Sequence, residues 1–350
     1  MAEIWEHNNT YSFFRHWVDF CTRRSYRKIE TVGTLPEPEG RAMIIAPNHA
    51  NTLMDALNTL QLRKEGTVFG SRADIFRKPM IAAILHFLRM VPMARRNRDT
   101  EEEVARNRET MQEIDRILAH GMPFAIYSEG THRTKHSLLP IRRGIAHIAF
   151  TSAIQRPTII VPVGLDYSDW FHYRAQLRIK IGQPIDVNAL LPSTEGMNES
   201  ERDHVLQDRV YEELSKLIFF LPDDETYDER LSAAKAALPR PKRGRDILQA
   251  VLSFPLFVVS AVLSLPLWGL AEYLCHFKVK DRAFRNTARF GVRLIGWPLF
   301  LIIWAIVFFL TMPWYLSAAL LLLYIPSYSI FYDWTNLVRG QQQPLWKTEK

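Results

Sequence analysis

Two regimes of hydrophobic patterning divide this chain. Up to about residue 246, apolar residues come in short groups separated by charged or turn-forming stretches; from 247 to 332 they run with little interruption. In the first regime, runs of strand length fall at 41–46, 67–70, 91–94, 123–128, 158–165 and 174–182. Helical spacing predicts helices over 52–64, 78–90, 100–119, 144–153, 201–219 and 225–237. The helix over 100–119 is the clearest. Thr100 and Glu103 form a capping box, Val104, Met111, Ile114 and Leu118 share a face, and Gly121 ends it. Strands alternating with helices predict an α/β domain with a largely parallel sheet flanked by helices.

Residues 11–29 mix aromatic and basic side chains. Phe13, Phe14, Trp17, Val18 and Cys21 recur at helical spacing, with Arg15, Arg23, Arg24, Arg27 and Lys28 among them. This predicts an amphipathic helix, placed either at a membrane interface or against the domain beside it. Residues 1–30 are assigned to this helix, 31–238 to the α/β domain and 239–246 to a basic, proline-bearing linker.

Residues 247–332 form the membrane region, and 333–350 a tail. The stretches 294–311 and 314–331 are each just long enough to cross a bilayer, with Pro313 at the turn between them, and read as a transmembrane hairpin. The earlier stretch, 247–274, contains Pro255 and Pro266 and is basic on both flanks: residues 242–245 before it, and Lys278, Lys280, Arg282, Arg285, Arg289 and Arg293 after it. Positive residues favour the cytoplasmic side, and one crossing would put one flank on the wrong side. A re-entrant or interfacial stretch is therefore expected, with both chain ends and the α/β domain on the cytoplasmic face.

Composition changes this picture in two ways. The formal net charge of +7 suits an anionic partner: phosphate, nucleic acid or an acidic membrane surface. Cys21 and Cys275 are the only cysteines and lack metal-ligand spacing, which argues against a disulfide framework. Met1–Asn9 is polar, with no secretory signal expected.

The chemistry centres on Ile44-Ile45-Ala46-Pro47-Asn48-His49-Ala50-Asn51-Thr52-Leu53-Met54-Asp55. A strand stops at Pro47, a histidine follows in a polar loop, and a carboxylate lies six residues on. Histidine is the side chain best suited to take a proton near neutral pH, and a carboxylate on its far nitrogen fixes the tautomer. On one continuous helix the two would point about 240° apart, so the loop must bend for them to meet. Taken alone, the pair reads as a loop histidine and a helix-face aspartate that do not touch. No Ser or Cys nucleophile stands nearby, so the hydroxyl losing its proton would belong to a substrate.

Two further clusters lie after strands. Ser128-Glu129-Gly130-Thr131-His132-Arg133 is followed by Arg142-Arg143-Gly144, where arginine forks and a helix N-terminus would suit an anion. Gly70-Ser71-Arg72-Ala73-Asp74-Ile75-Phe76-Arg77-Lys78-Pro79 comes next, with Arg95-Arg96-Asn97-Arg98 after the following strand. Each could equally be a solvated basic loop. Ligands gather at the carboxyl ends of strands in open α/β sheets, so all these loops could face one cleft.

Together these segments resemble the glycerolipid acyltransferases that act on glycerol-3-phosphate or lysophosphatidate. The resemblance runs in order through Asn48-His49 with Asp55, Ala73-Asp74-Ile75-Phe76-Arg77-Lys78-Pro79, Ser128-Glu129-Gly130-Thr131-His132-Arg133 with Arg142-Arg143-Gly144, and Ile160-Val161-Pro162-Val163-Gly164. It covers about residues 40–170. Three positions depart from the usual pattern: five residues separate His49 and Asp55 where four are common, Ser128 replaces a proline, and His132 moves the arginine one place on. The longer spacing, and a C-terminal hairpin preceded by Lys280-Asp281-Arg282-Ala283-Phe284-Arg285, are similar to a fungal and bacterial subgroup acting on glycerol-3-phosphate or dihydroxyacetone phosphate.

The resemblance implies acyl transfer from a thioester of coenzyme A or acyl carrier protein to a glycerol hydroxyl, without metal or other cofactor. His49 would be the base and Asp55 its partner. Glu129, with Gly130 and Thr131, would hold the glycerol backbone or the turn. Arg133, with Arg77 or Arg142 and beside Phe76 and Lys78, would bind phosphate. The implied acceptor is the sn-1 hydroxyl of glycerol-3-phosphate, with lysophosphatidate as the alternative. A non-catalytic membrane lipid-binding scaffold is the rival from another class, and it predicts a scrambled His–Asp pair. The basic residues are dispersed with no nucleic-acid motif, and the Gly-x-Ser-x-Gly elbow of an esterase is absent.

Overall fold

The computed structural model describes residues 3–95, 99–238, 243–340 and 343–348. The chain opens with helix α1 (Asn9–Arg24), then strands β1 (Lys28–Val32) and β2 (Ala42–Pro47), helix α2 (Leu53–Leu60), strand β3 (Val68–Arg72), helix α3 (Pro79–Phe87) and strand β4 (Met90–Met93). Helices α4 (Glu101–Ala105) and α5 (Asn107–Ala119) follow, then β5 (Phe124–Ala125), α6 (Gly144–Ala153), β6 (Thr158–Tyr167), β7 (Gln176–Ile181) and β8 (Ile185–Asp186). Helices α7 (Glu199–Leu217) and α8 (Tyr227–Ala237) complete the α/β part, and α9 (Arg243–Tyr273), α10 (Arg285–Thr311) and α11 (Trp314–Arg339) are the long apolar helices.

The expected α/β sheet forms, in the order β1-β7-β6-β2-β5-β3-β4 with β8 against β6. Every neighbouring pair is parallel except β6 with β7 and with β8. Strand β2 is buried on both faces, which is why it reads as a continuous apolar run. Ala42, Ile44 and Ala46 face a core shared with α5, α6 and α7, while Met43 and Ile45 face one shared with α1 and α2. Phe290 of α10 is buried in that second core, so the apolar C-terminal region packs on the domain.

Local expectations shift in instructive places. The helix expected over 11–29 ends at Arg24, and Lys28–Val32 is an edge strand pairing with β7, so residue 30 is no boundary. Trp17, Val18 and Cys21 of α1 pack inward, whereas Phe13 and Phe14 stay exposed. The helix over 100–119 keeps its Thr100–Glu103 capping box but breaks at Arg106 into α4 and α5. The strand over 123–128 pairs only at Phe124–Ala125, because the chain then turns into the Glu129 loop. Residues 239–242 of the expected linker lie outside the described residues, and its remainder begins α9. The tail folds back, burying Leu345 and Trp346 beside Phe219.

Among the described residues, three helices are long and apolar enough to cross a membrane, spanning Gly244–Lys278, Arg282–Thr311 and Trp314–Arg339. The first is helical throughout, including both prolines, but it is not straight. Ala250 and Glu272 would stand about 33 Å apart on a straight helix. Both nevertheless meet one turn of α11: Trp334 Nε1 donates to the Ala250 carbonyl at 3.1 Å, and Tyr332 Oη to Glu272 Oε1 at 3.3 Å. Pro255 and Pro266 supply the bend, and both ends of α9 lie beside the same end of α11.

Buried Arg293 of α10 ties this bundle to the domain. It donates to the Arg24 carbonyl at 2.9 Å and to Ser329 Oγ at 2.9 Å. Trp17 Nε1 donates to the Leu294 carbonyl at 2.9 Å.

Gly164 shows how tightly β6 meets α7: a Cβ there would sit 2.6 Å from both Cβ and the carbonyl oxygen of Leu217. Gly164→Ala should therefore cost about 1–3 kcal/mol by overpacking and lower the thermal midpoint of the detergent-solubilised protein. Gly144→Ala, whose nearest neighbour would be an ordinary 3.9 Å away, should leave the midpoint within a degree or two and serves as the control.

Candidate active site

The carboxyl ends of parallel strands β2, β5, β3 and β4 share one edge of the sheet, and the His49, Glu129, Arg77 and Arg95 loops follow them. At the end of β2, Asn48 is fixed to β6: its Nδ2 donates to the Leu165 carbonyl at 3.2 Å, and Leu165 N–H donates to Asn48 Oδ1 at 2.6 Å. The chain then turns sharply. Thr52 has φ 50° and ψ −128°, and α2 begins at the next residue.

That turn brings His49 and Asp55 together. His49 Nδ1 lies 2.8 Å from Asp55 Oδ2, which also accepts the Asn51 backbone N–H at 2.7 Å. Tyr167, at the end of β6, donates to Asp55 Oδ1 at 2.6 Å. Asn58, one turn further along α2, donates to Tyr167 Oη at 2.9 Å and Tyr26 Oη at 2.8 Å. The Asp55 side chain has 0% exposure and that of His49 19%, so the imidazole is reachable and the carboxylate is not. Because a carboxylate only accepts, Nδ1 carries a hydrogen and Nε2 is left to take a proton.

Glu129 holds this loop from the other side. Its Oε1 accepts the His49 backbone N–H at 2.7 Å, and its Oε2 accepts that of Leu139 at 2.7 Å. The Arg133 N–H donates to the His49 carbonyl at 3.0 Å. Burial pushes the Glu129 carboxyl above the usual carboxylate range, and the two backbone donors pull against it. Of the two roles expected for Glu129, both oxygens serve the turn. Gly130 follows at φ +74°, in the left-handed region, with the Arg142 side chain over it.

The basic residues separate by what they hold. Arg133 pairs with Asp223 and donates to Ser137 Oγ at 2.7 Å and the Leu138 carbonyl at 3.2 Å. Arg77 makes a two-pronged pair with Glu103, at 2.8 and 3.1 Å, holding that carboxyl down to about 2 with help from Thr100. Arg95 reaches the Gly130 carbonyl at 3.3 Å. Arg142 and Lys78 are exposed, and among the described residues neither has an ion-pair partner. Thr131 and Phe76 are half-buried, while Arg96, Asn97 and Arg98 lie outside the described residues.

Several groups at this site have no local sequence signal. Tyr127 packs its ring 4.5 Å from that of His49. His132 stands 5.8 Å from His49, edge to face, and its Nε2 lies 3.1 Å from Asp281 Oδ2. Phe284 packs against His132 at 5.4 Å. Asp281 and Phe284 come from the segment between α9 and α10, about 150 residues away in sequence, so spacing could not have placed them. Tyr167 had a weak signal: a polar aromatic ending an otherwise apolar strand. Among the described residues, no three His, Cys, Asp or Glu side chains gather as metal ligands would.

Residues 27–166, which carry β1 to β6 and both loops around His49, match the family described as Acyltransferase. This part of the chain is therefore similar to acyltransferases. It is 29% identical over 114 residues to the glycerol-3-phosphate O-acyltransferase 1 of Saccharomyces cerevisiae, covering 31% of this chain and 15% of the yeast protein. It is 25% identical over 120 residues to an uncharacterized acyltransferase of Schizosaccharomyces pombe, covering 33% of this chain and 18% of that protein. The chain thus matches less than a fifth of the length of these relatives. Among solved structures, the 1-acyl-sn-glycerophosphate acyltransferase PlsC of Thermotoga maritima aligns with a TM-score of 0.41 and 18% identity, over 58% of this chain and 78% of that one.

This candidate site makes two side chains testable. Tyr167→Phe removes a donor from a buried carboxylate and should lower kcat about tenfold or more, with retained secondary structure by circular dichroism. Glu129→Gln presents an amide N–H to one of two backbone N–H groups. It should cost about 1–3 kcal/mol locally, read as faster hydrogen exchange in peptides covering 48–51 and 129–139.

Proposed function

We propose that this protein transfers a fatty acyl group from an acyl thioester to the sn-1 hydroxyl of glycerol-3-phosphate, producing lysophosphatidate at a membrane. The observation that carries this reading is the 2.8 Å contact of His49 with buried Asp55 beside an imidazole that stays reachable. His49 Nε2 takes the proton of the acceptor hydroxyl as its oxygen bonds to the thioester carbonyl carbon. Collapse of the tetrahedral intermediate breaks the C–S bond, and the proton passes from His49 to the departing thiolate. Asp55 steadies the imidazolium between these steps.

The acceptor phosphate is assigned to Arg142, exposed over the Gly130 turn, with Lys78 a second exposed cation that has no ion-pair partner among the described residues. Arg133 and Arg77 already hold Asp223 and Glu103, so they would serve only by exchanging partners. Likeness to the yeast glycerol-3-phosphate O-acyltransferase supports glycerol-3-phosphate over lysophosphatidate as acceptor. The donor is the thioester of coenzyme A or acyl carrier protein, with no metal or other cofactor.

The bundle geometry supports a cytoplasmic placement of the domain. Both ends of α9 and the start of α10 lie on the domain side, together with Lys278, Lys280, Arg282 and Arg285. In this reading α9 enters the bilayer and returns, and α10 and α11 form the hairpin. Phe13 and Phe14 of α1 rest at the interface.

The test is acyl transfer by the purified full-length protein with palmitoyl-coenzyme A, offering labelled glycerol-3-phosphate and lysophosphatidate separately. Lysophosphatidate formed from the first is the expected result, and His49→Ala should reduce it by about 10²- to 10⁴-fold while still inserting into membranes. Product from the second acceptor alone would move the assignment to lysophosphatidate acylation. Full activity of His49→Ala would overturn the mechanism.

A further inference from the structure

The conformation of Thr52 needs an explanation that the acyltransferase domain alone does not give. A β-branched residue at φ 50° and ψ −128° lies outside the regions open to L-residues. Such strain persists only where surrounding structure over-determines it. Thr52 is 4% exposed, and it sits between Asn51, whose N–H binds Asp55, and the first turn of α2, which carries Asp55. Whatever holds Thr52 holds the turn that lets His49 and Asp55 meet.

The holding groups come from the membrane region. Thr52 Oγ1 lies 3.0 Å from Thr287 Oγ1 and reaches toward the Ala283 carbonyl at 3.5 Å. The same segment is fastened independently to the site. Asp281 caps its turn by accepting the Ala283 N–H at 2.9 Å and meets His132, while Phe284 covers the His132 ring. Downstream, Phe290 is buried in the domain core.

We propose that Thr287 is a positioning residue for the reaction: by bonding Thr52 it fixes the turn presenting Asn51 N–H and Asp55 to His49, so the segment leading into α10 completes the catalytic loop. The inference rests on the acyl-transfer reading for its kinetic consequence, but not for its structural one. Thr287 touches neither His49 nor Asp55 and acts through Thr52. It therefore shapes the reacting geometry without contributing to acceptor binding.

The experiment compares full-length wild type, Thr287→Val and Thr287→Ser in proteoliposomes. It measures kcat and KM for the acceptor, and hydrogen exchange of peptides covering 48–58. Valine keeps the shape and loses the hydroxyl; serine keeps the hydroxyl and loses the methyl. Expected are a roughly three- to tenfold fall in kcat for Thr287→Val at unchanged KM, with faster exchange in 48–58, and recovery of both in Thr287→Ser. Wild-type kcat and exchange in Thr287→Val would overturn the proposal. So would a serine variant as impaired as valine, which would show that the hydroxyl bond to Thr52 is not what holds the turn, or a defect confined to KM. If the wild type transfers no acyl group, the functional reading fails, and the exchange comparison still decides whether Thr287 holds the loop.

Discussion

A carboxylate with no access to water needs donors for both of its oxygens, and Asp55 sets this demand at the centre of the molecule. Three donors meet it: the His49 loop supplies Nδ1 and the Asn51 N–H, and the end of β6 supplies Tyr167 Oη. None of these donors can move without stranding a buried charge, so β2, β6 and α2 are locked in register around one side chain. Asn58 and Tyr26 extend the network to the strand leading out of α1. Glu129 repeats the arrangement one loop away, spending both oxygens on backbone N–H groups. Two buried acids therefore define the loops, and only one of them touches the partly exposed imidazole.

The distribution of basic residues follows the same logic of committed and uncommitted partners. Arg293 and Arg289 are buried at the junction between the long helices and the domain, where backbone carbonyls and Glu272 occupy them. Arg133 and Arg77 are held by carboxylates on later segments. What remains on the site edge is a small set headed by Arg142. Net positive charge is thus a poor guide to where an anion would sit, because many of the basic side chains near the site already hold carboxylates or carbonyls.

Much of this was legible in the sequence because periodicity and local chemistry act over short distances. The alternation of strands and helices, the Thr100–Glu103 cap and the apolar C-terminal third follow from patterns within a few residues. The His49–Asp55 contact was legible only through resemblance. Spacing alone puts the two on opposite sides of a helix, and it is the strained turn at Thr52 that rotates them together. Strand β1 was missed because Lys28–Val32 carries charge and half-exposed edge positions, without the apolar run of a central strand. Arg133 and Glu129 sit in the expected loops, but their partners at Asp223 and Leu139 depend on how distant segments return. The contacts of His132 with Asp281 and of Thr52 with Thr287 are tertiary facts with no local trace.

The bond from Trp17 to Leu294 also bears on how the chain is made. The indole leaves the ribosome 277 residues before its acceptor, a delay on the order of tens of seconds at typical elongation rates. Helix α1 and the core around Phe290 must wait through that interval with apolar surface uncovered, and β1 must wait for β7. The fold closes only after its last third has been made. Contacts so far apart in sequence make for slow assembly, and they leave the docking of the long apolar helices on the domain as a late folding step.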